Sequence, residues 1–200
     1  MLISRRDGRL QLVTHPDHGI VAGALCEQWG NDRFRMPAPR EALLDAATHH
    51  DDGWAELDGR PAFNDSEARP AHFLELALPD TVGPYGRGVD SVYARDPLAG
   101  ALVSMHWAGL YRTRWGLQGG GPVGHPMAAE IVAAQEPRWT AALGEAWGGR
   151  GLRSEFEAAI WHAYEVLQAL DFISLALCLL DLEQPTEGAE AVAMPPTLPT

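Results

Sequence analysis

A mostly α-helical fold, an irregular bundle around one core with a short N-terminal β-hairpin, is what this 200-residue sequence predicts. Three observations carry the prediction. Apolar residues recur at intervals of three and four over most of the chain between residues 14 and 182. Prolines stand just inside the expected helix starts and glycines just past the expected ends. Period-two alternation is confined to one stretch, Leu2 to Val13, around Asp7-Gly8.

That stretch is the hairpin. Thr14 or His15 then caps a first helix with Pro16 in its opening turn, apolar positions Ile20, Val21, Ala24 and Leu25, and a stop at Gly30-Asn31-Asp32. A second helix runs from Arg40 to about His50 behind Pro37 and Pro39. From Asp52 to Pro70 the density of Gly, Pro, Asp and Asn predicts a long irregular loop folding over a site, followed by a short helix around Ala71 to Leu78. Asp96-Pro97 opens a helix reaching about Tyr111. Gly116 to Gly124 is expected to be a flexible loop without a phosphate-binding signature. Two helices follow, Pro126 to Trp147 with Pro137 kinking or dividing it, and Arg153 to about Leu182. Residues 1–182 are read as one domain and 183–200, proline-rich and poor in large apolar residues, as a disordered tail.

Composition narrows the function classes. A formal charge of -12 argues against nucleic acid or an anionic membrane as a partner, while leaving room for a small, even anionic, substrate in a local pocket. All 15 basic residues are Arg, so Schiff-base chemistry and a P-loop lysine are excluded. Cys26 and Cys178 lie far apart in apolar contexts and are expected to be buried free thiols in a reducing cytoplasm. The chain opens without a signal-peptide pattern, and its longest apolar run, Phe172 to Leu180, is too short to span a bilayer.

Chemistry concentrates where the second helix ends, in Thr48-His49-His50-Asp51-Asp52-Gly53-Trp54. Adjacent His50 and Asp51 can offer an imidazole nitrogen and a carboxylate oxygen to one cation. Elsewhere, polar residues interrupt apolar faces. Asp171 lies in the stripe Phe156, Ile160, Tyr164, Leu167, Leu175 and Cys178, where an unpartnered carboxylate would be costly. His106 shares a face with Leu98, Leu102 and Gly109, and His18 is followed on its face by Val21, Leu25 and Cys26. Four helices thus each direct one polar element inward, a common way for a bundle to build a metal site. His72 is the candidate for a second ion. His49 points about 100° away from His50 around the helix. His15 reads as a cap or surface residue, and His125 and His162 as structural or exposed.

In this order, His18, His50-Asp51 and Asp171 resemble the signature of the HD-domain superfamily over most of residues 14 to 180. The longer stretch from His50 to Trp54, with Ser104-Met105-His106 and Tyr164 to Asp171, looks like a small bacterial family of unknown function, domain of unknown function 3891. The resemblance implies an HD-type helical fold holding one or two divalent ions (Fe, Mn, Zn or Mg). It implies phosphohydrolase activity on a nucleotide or small phosphate ester through metal-activated water, with a non-haem di-iron oxygenase as the alternative. In the oxygenase, His72 and His106 would both be ligands. A metal-binding module without turnover is a further alternative. Many superfamily members carry Lys after the glycine of the doublet motif, where this chain has Trp54, so help with phosphate falls to an Arg: Arg112 or Arg114, or Arg35 or Arg40. Asp52 is the candidate general base or ligand-orienting group. A homo-oligomer is compatible with all of these readings.

Overall fold

The computed structural model describes residues 1–112 and 125–180. The predicted tail, the glycine loop and Arg114 lie outside them. Among the described residues the fold is mostly α with a short N-terminal antiparallel hairpin. Strands β1 (Leu2–Arg6) and β2 (Arg9–Val13) pair from Leu2↔Val13 to Arg6↔Arg9. Asp7 and Gly8 both adopt positive φ, 50° and 74°, as a two-residue turn of this type demands. The hairpin lies on the end of the last helix, where Arg6 donates to Leu180 O at 2.7 Å.

Helix α1 (His15–Gln28) is capped by Thr14, whose hydroxyl accepts from Asp17 N, with Pro16 in the first turn. Its buried face differs from the expected one. His15, His18, Gly19, Ala22, Gly23 and Cys26 face inward, and Ile20 is 60% exposed. The reason is proximity. A Cβ on Gly19 or Gly23 would collide with Thr48 of α2 (Arg40–His49), so α1 presents small residues where α2 passes closest, and Ile20 is turned outward.

The expected irregular loop is more ordered than its composition suggests. It holds a 3-10 turn at Asp52–Trp54, a single helical turn α3 (Ala55–Asp58), and a two-residue ladder of β3 (Phe63–Asn64) with β4 (Arg69–Pro70). In place of a helix over 71–78 there is only a 3-10 turn, Phe73–Glu75. The next helix, α4 (Leu78–Arg95), has no counterpart in the sequence reading. Three glycines and an internal Pro84 obscure it, yet Leu78, Thr81, Tyr85, Gly88, Val89 and Val92 form one buried stripe at helical spacing.

Helix α5 (Pro97–Leu110) is the centre of the bundle. Asp96 caps it through Leu98 N and Ala99 N, and every residue from Ala99 to Gly109 is buried. A helix apolar on all sides belongs inside, and α5 touches α2, α4, α6 (Pro126–Trp147) and α7 (Arg153–Leu179). Pro137 does not divide α6. Helix α7 is long and apolar enough to cross a membrane by length and composition, contrary to the expectation from its longest unbroken run. Half of that apolar stretch is buried inside the protein.

Candidate metal centre

Three imidazoles and two carboxylates converge where α1, α2, α5 and α7 meet. His18 Nε2 lies 3.1 Å from His50 Nε2 and 3.0 Å from Asp171 Oδ1. His50 Nε2 is 3.3 Å from the same oxygen. Asp51 Oδ2 stands 3.7 Å from both nitrogens, and His106 Nε2 is 3.9 Å from Asp171 Oδ2. His18, His50 and His106 are at most 2% exposed.

The back of each ring fixes which nitrogen faces the cluster. His50 Nδ1 donates to Ala47 O at 2.9 Å. Ser174 Oγ donates to Asp171 O at 2.8 Å and so accepts from His18 Nδ1 at 2.7 Å. Gln168 gives its Nε2 protons to Tyr164 Oη and accepts from His106 Nδ1 with its Oε1. All three Nδ1 atoms carry protons, so Nε2 is the nitrogen that each ring turns toward the carboxylates.

Such an arrangement calls for positive charge. Burial alone would lower the His18 pKa, but the carboxylates of Asp171 and Asp51 override it and hold the group at about 10. Burial also opposes charge on His50, and Asp51 and Asp171 again raise it. Burial would push Asp171 up, yet His18 and His50 hold it well below the usual carboxylate range. His106, dominated by burial, is pushed down and stays neutral. A divalent ion answers the same demand. With donor distances of about 2.1 Å, neighbouring ligand atoms around an ion lie about 3 Å apart and opposite ones about 4.2 Å. The separations of 3.0 to 3.9 Å fall in that window, and two sets of these atoms, His18-His50-Asp51 and His50-His106-Asp171, each lie within 4.8 Å of one another. The buried groups can therefore hold a metal ion.

Other predicted site residues lie elsewhere. His72 belongs to neither set: it caps the 3-10 turn at Phe73, with Nδ1 accepting from Leu74 N at 3.2 Å. Asp52 faces outward, 2.8 Å from His49 Nδ1 and 3.9 Å from Arg95. Its position one residue past the doublet turns it about 100° from Asp51. Arg112 pairs with Glu136 and lies over the Trp139 ring. His49 pairs with Asp52 and Asp45 at the surface. Cys26 and Cys178 are buried and free.

Asp51, His106 and Asp171 of the cluster form the floor of a cavity of about 240 Å³, whose walls include Trp54, Phe73, Leu110, Phe172, Leu175 and Leu179. Two polar wall residues escaped the sequence reading. His15 is 2% exposed, stacked on Trp54 at 4.3 Å and bound through Nδ1 to Asp58. Its place beside Thr14-Pro16 suggested a cap, and no periodic signal marked it as interior. Tyr85 sits on the unrecognised α4, its ring stacked on Trp107 and its hydroxyl turned toward Asp51 without closing a hydrogen bond. Burial, then the nearby carboxylates, hold it well above the usual tyrosine range, so it remains a phenol.

Asp58 anchors this wall. Burial would raise its pKa, but donation from His15, through imidazole and backbone, and from the Met1 amino group lowers it from 3.8 to about 2. A depressed carboxylate contributes stability above its unfolded pKa and loses it as pH falls toward the folded one. Asp58→Asn is expected to cost roughly 2 kcal/mol at neutral pH. In denaturant titrations the gap to wild type should narrow between about pH 4 and about pH 2. A gap independent of pH would contradict the assignment.

No curated protein and no solved structure matches the chain. The model of one protein family, described as a protein of unknown function (DUF3891), matches residues 1–197, and the chain belongs to that family.

Proposed function

We propose that this protein is a metal-dependent hydrolase of HD type acting on a small molecule. The observation that carries the reading is a cluster of five donor residues of which three, Asp51, His106 and Asp171, line a cavity large enough for a substrate. The order His18, His50-Asp51, Asp171 supports the HD assignment. When bound, a divalent ion lowers the pKa of a water and polarises the bond under attack.

The protein's own groups divide the remaining work. Ala47 O, Ser174 and Gln168 hold the three rings with Nε2 forward, so no reorganisation is needed when the ion arrives. Asp171 stays ionised, and the Tyr85 phenol is a donor at the floor beside Asp51. A proton released there meets the carboxylates of Asp51 and Asp171 first. Asp52 faces His49 and Arg95, which removes support for it as base, and Arg112 is engaged by Glu136. Since no Arg among the described residues lines the cavity, a phosphate ester there would have to be held by the ion itself. The apolar wall favours a carboxylic ester or another uncharged group. It also suits an oxygenase, the second reading, but the six-ligand dinuclear form of that enzyme needs His72, which is committed to Leu74 N. The two unpaired cysteines support placement in a reducing cytoplasm.

Protein purified without chelator should hydrolyse p-nitrophenyl acetate or p-nitrophenyl phosphate at a rate that tracks its metal content, and Asp171→Ala should remove that rate. Turnover that persists after the metal has been stripped would count decisively against the reading.

A further inference from the structure

Two buried polar atoms in the cavity wall, His15 Nε2 and Tyr85 Oη, have no hydrogen-bond partner among the described residues. His15 is tied from behind: its backbone N–H and its Nδ1 both reach Asp58 Oδ2, at 2.6 and 2.9 Å. A carboxylate oxygen only accepts, so Nδ1 bears the proton and Nε2 presents a lone pair. A lone pair so buried is costly until a donor reaches it. Trp54 stacks on the ring, and Phe73 meets it edge-on at 5.2 Å.

Gln168 apart, the rest of the wall is apolar, and among the described residues no Arg lines it. Its charged groups are Asp51 and Asp171 at the floor, whose negative charge the ion offsets. Dry apolar space of about 150 Å³ accepts benzene, so about 240 Å³ holds such a ring with a few more heavy atoms.

The geometry points to a small, uncharged, largely apolar substrate carrying one hydrogen-bond donor, a hydroxyl or an N–H, that seats on His15 Nε2 while its body fills the cavity beside Trp54. Nε2 is buried as the rings stand, so the wall beside it, which includes Phe73, must give way for a donor to reach it. The assignment specifies the substrate of the hydrolase proposed above and rests on that reading for the reaction, though not for binding.

Phenol and toluene are the probes, near-isosteric and differing in the donor, with phenyl phosphate as the charged counterpart. Binding is measured on the protein as purified, its metal content determined on the same sample, by NMR of the histidine ring nitrogens. Phenol is expected to shift the His15 Nε2 resonance and toluene to leave it in place. His15→Phe keeps an aromatic ring against Trp54. It should weaken phenol about tenfold and leave toluene unchanged. Ala176→Trp, which fills the cavity, should abolish binding of both with metal content unaltered. Phenyl phosphate should bind at least about tenfold more weakly than phenol.

Equal loss of phenol and toluene in His15→Phe, a silent His15 in the wild type, or a preference for phenyl phosphate would each overturn the assignment. The wild-type NMR response decides the matter if His15→Phe does not fold. Protein without metal that still binds phenol through His15 would support this assignment while sinking the hydrolase.

Discussion

Replacing His50 by Ala is expected to take the metal content of the protein from about one equivalent to background. His50 belongs to both ligand sets, so its loss leaves neither complete. A ligand present at a hundred times its dissociation constant stabilises the folded state by about 2.7 kcal/mol. For a chain of this size that corresponds to a rise in Tm of about 5 to 10 °C. Wild-type protein should show this rise on adding the cognate ion, and His50→Ala should show none. His72→Ala, by contrast, should retain its metal, since its ring nitrogen caps a turn. Elemental analysis with parallel thermal melts tests both. Equal metal loss in the two variants would mean that the second ion and the dinuclear chemistry deserve revival. Near-stoichiometric metal in His50→Ala would remove the basis for the centre.

The second large effect is expected from Gly53→Ala. A Cβ there would stand 2.5 Å from Pro84 O, 2.8 Å from Tyr85 Cα and 3.0 Å from Pro84 C. These are backbone atoms, so no rotamer change relieves the clash, and the turn carrying the doublet must separate from α4. A cost of about 3 kcal/mol or more is expected, or a fall in Tm of about 6 to 12 °C. Gly88→Ala attacks the same crossing from the other side, its Cβ 2.5 Å from Gly53 N. The two elements need separate only once, so the double variant should lose clearly less than the two single losses together. Strict additivity in chemical denaturation would show that the crossing is not a shared contact. Because Asp51 precedes this turn and Tyr85 lies across from it, metal affinity should fall with stability.

The buried cluster was legible because polar groups inside a core leave a mark that periodicity exposes. Asp171 among Ile160, Tyr164 and Leu167, and His106 within a helix buried on every side, are polar residues where a core needs apolar ones. The caps at Thr14 and Asp96 were legible too, since each accepts from the first turn of the helix it opens, whereas the cap at His125 was not read. Helix α4 was hidden because tertiary packing overrides propensity. Gly88 is there to let Gly53 approach, which a propensity reading takes as a helix breaker. Losing α4 meant losing Tyr85. His15 was hidden by its neighbours, since a histidine between a capping threonine and a proline has no apolar face to interrupt. His72 and Arg112 were chosen by order along the chain, and order does not say where a loop or a helix end turns its side chains.

The seam between α1 and α2 has a consequence for which ion the proposed centre would take. Gly19 and Gly23 let Thr48 approach so closely that the two helix backbones cannot slide apart or together without cost, and His18 and His50 ride on opposite sides of that seam. Their nitrogens are therefore set at a fixed gauge, and an ion must match the gap. Preference among divalent ions then becomes a property of two glycines that never touch metal. A single methyl group added to either should favour ions of larger radius, because the protein here measures size by the spacing of its helices.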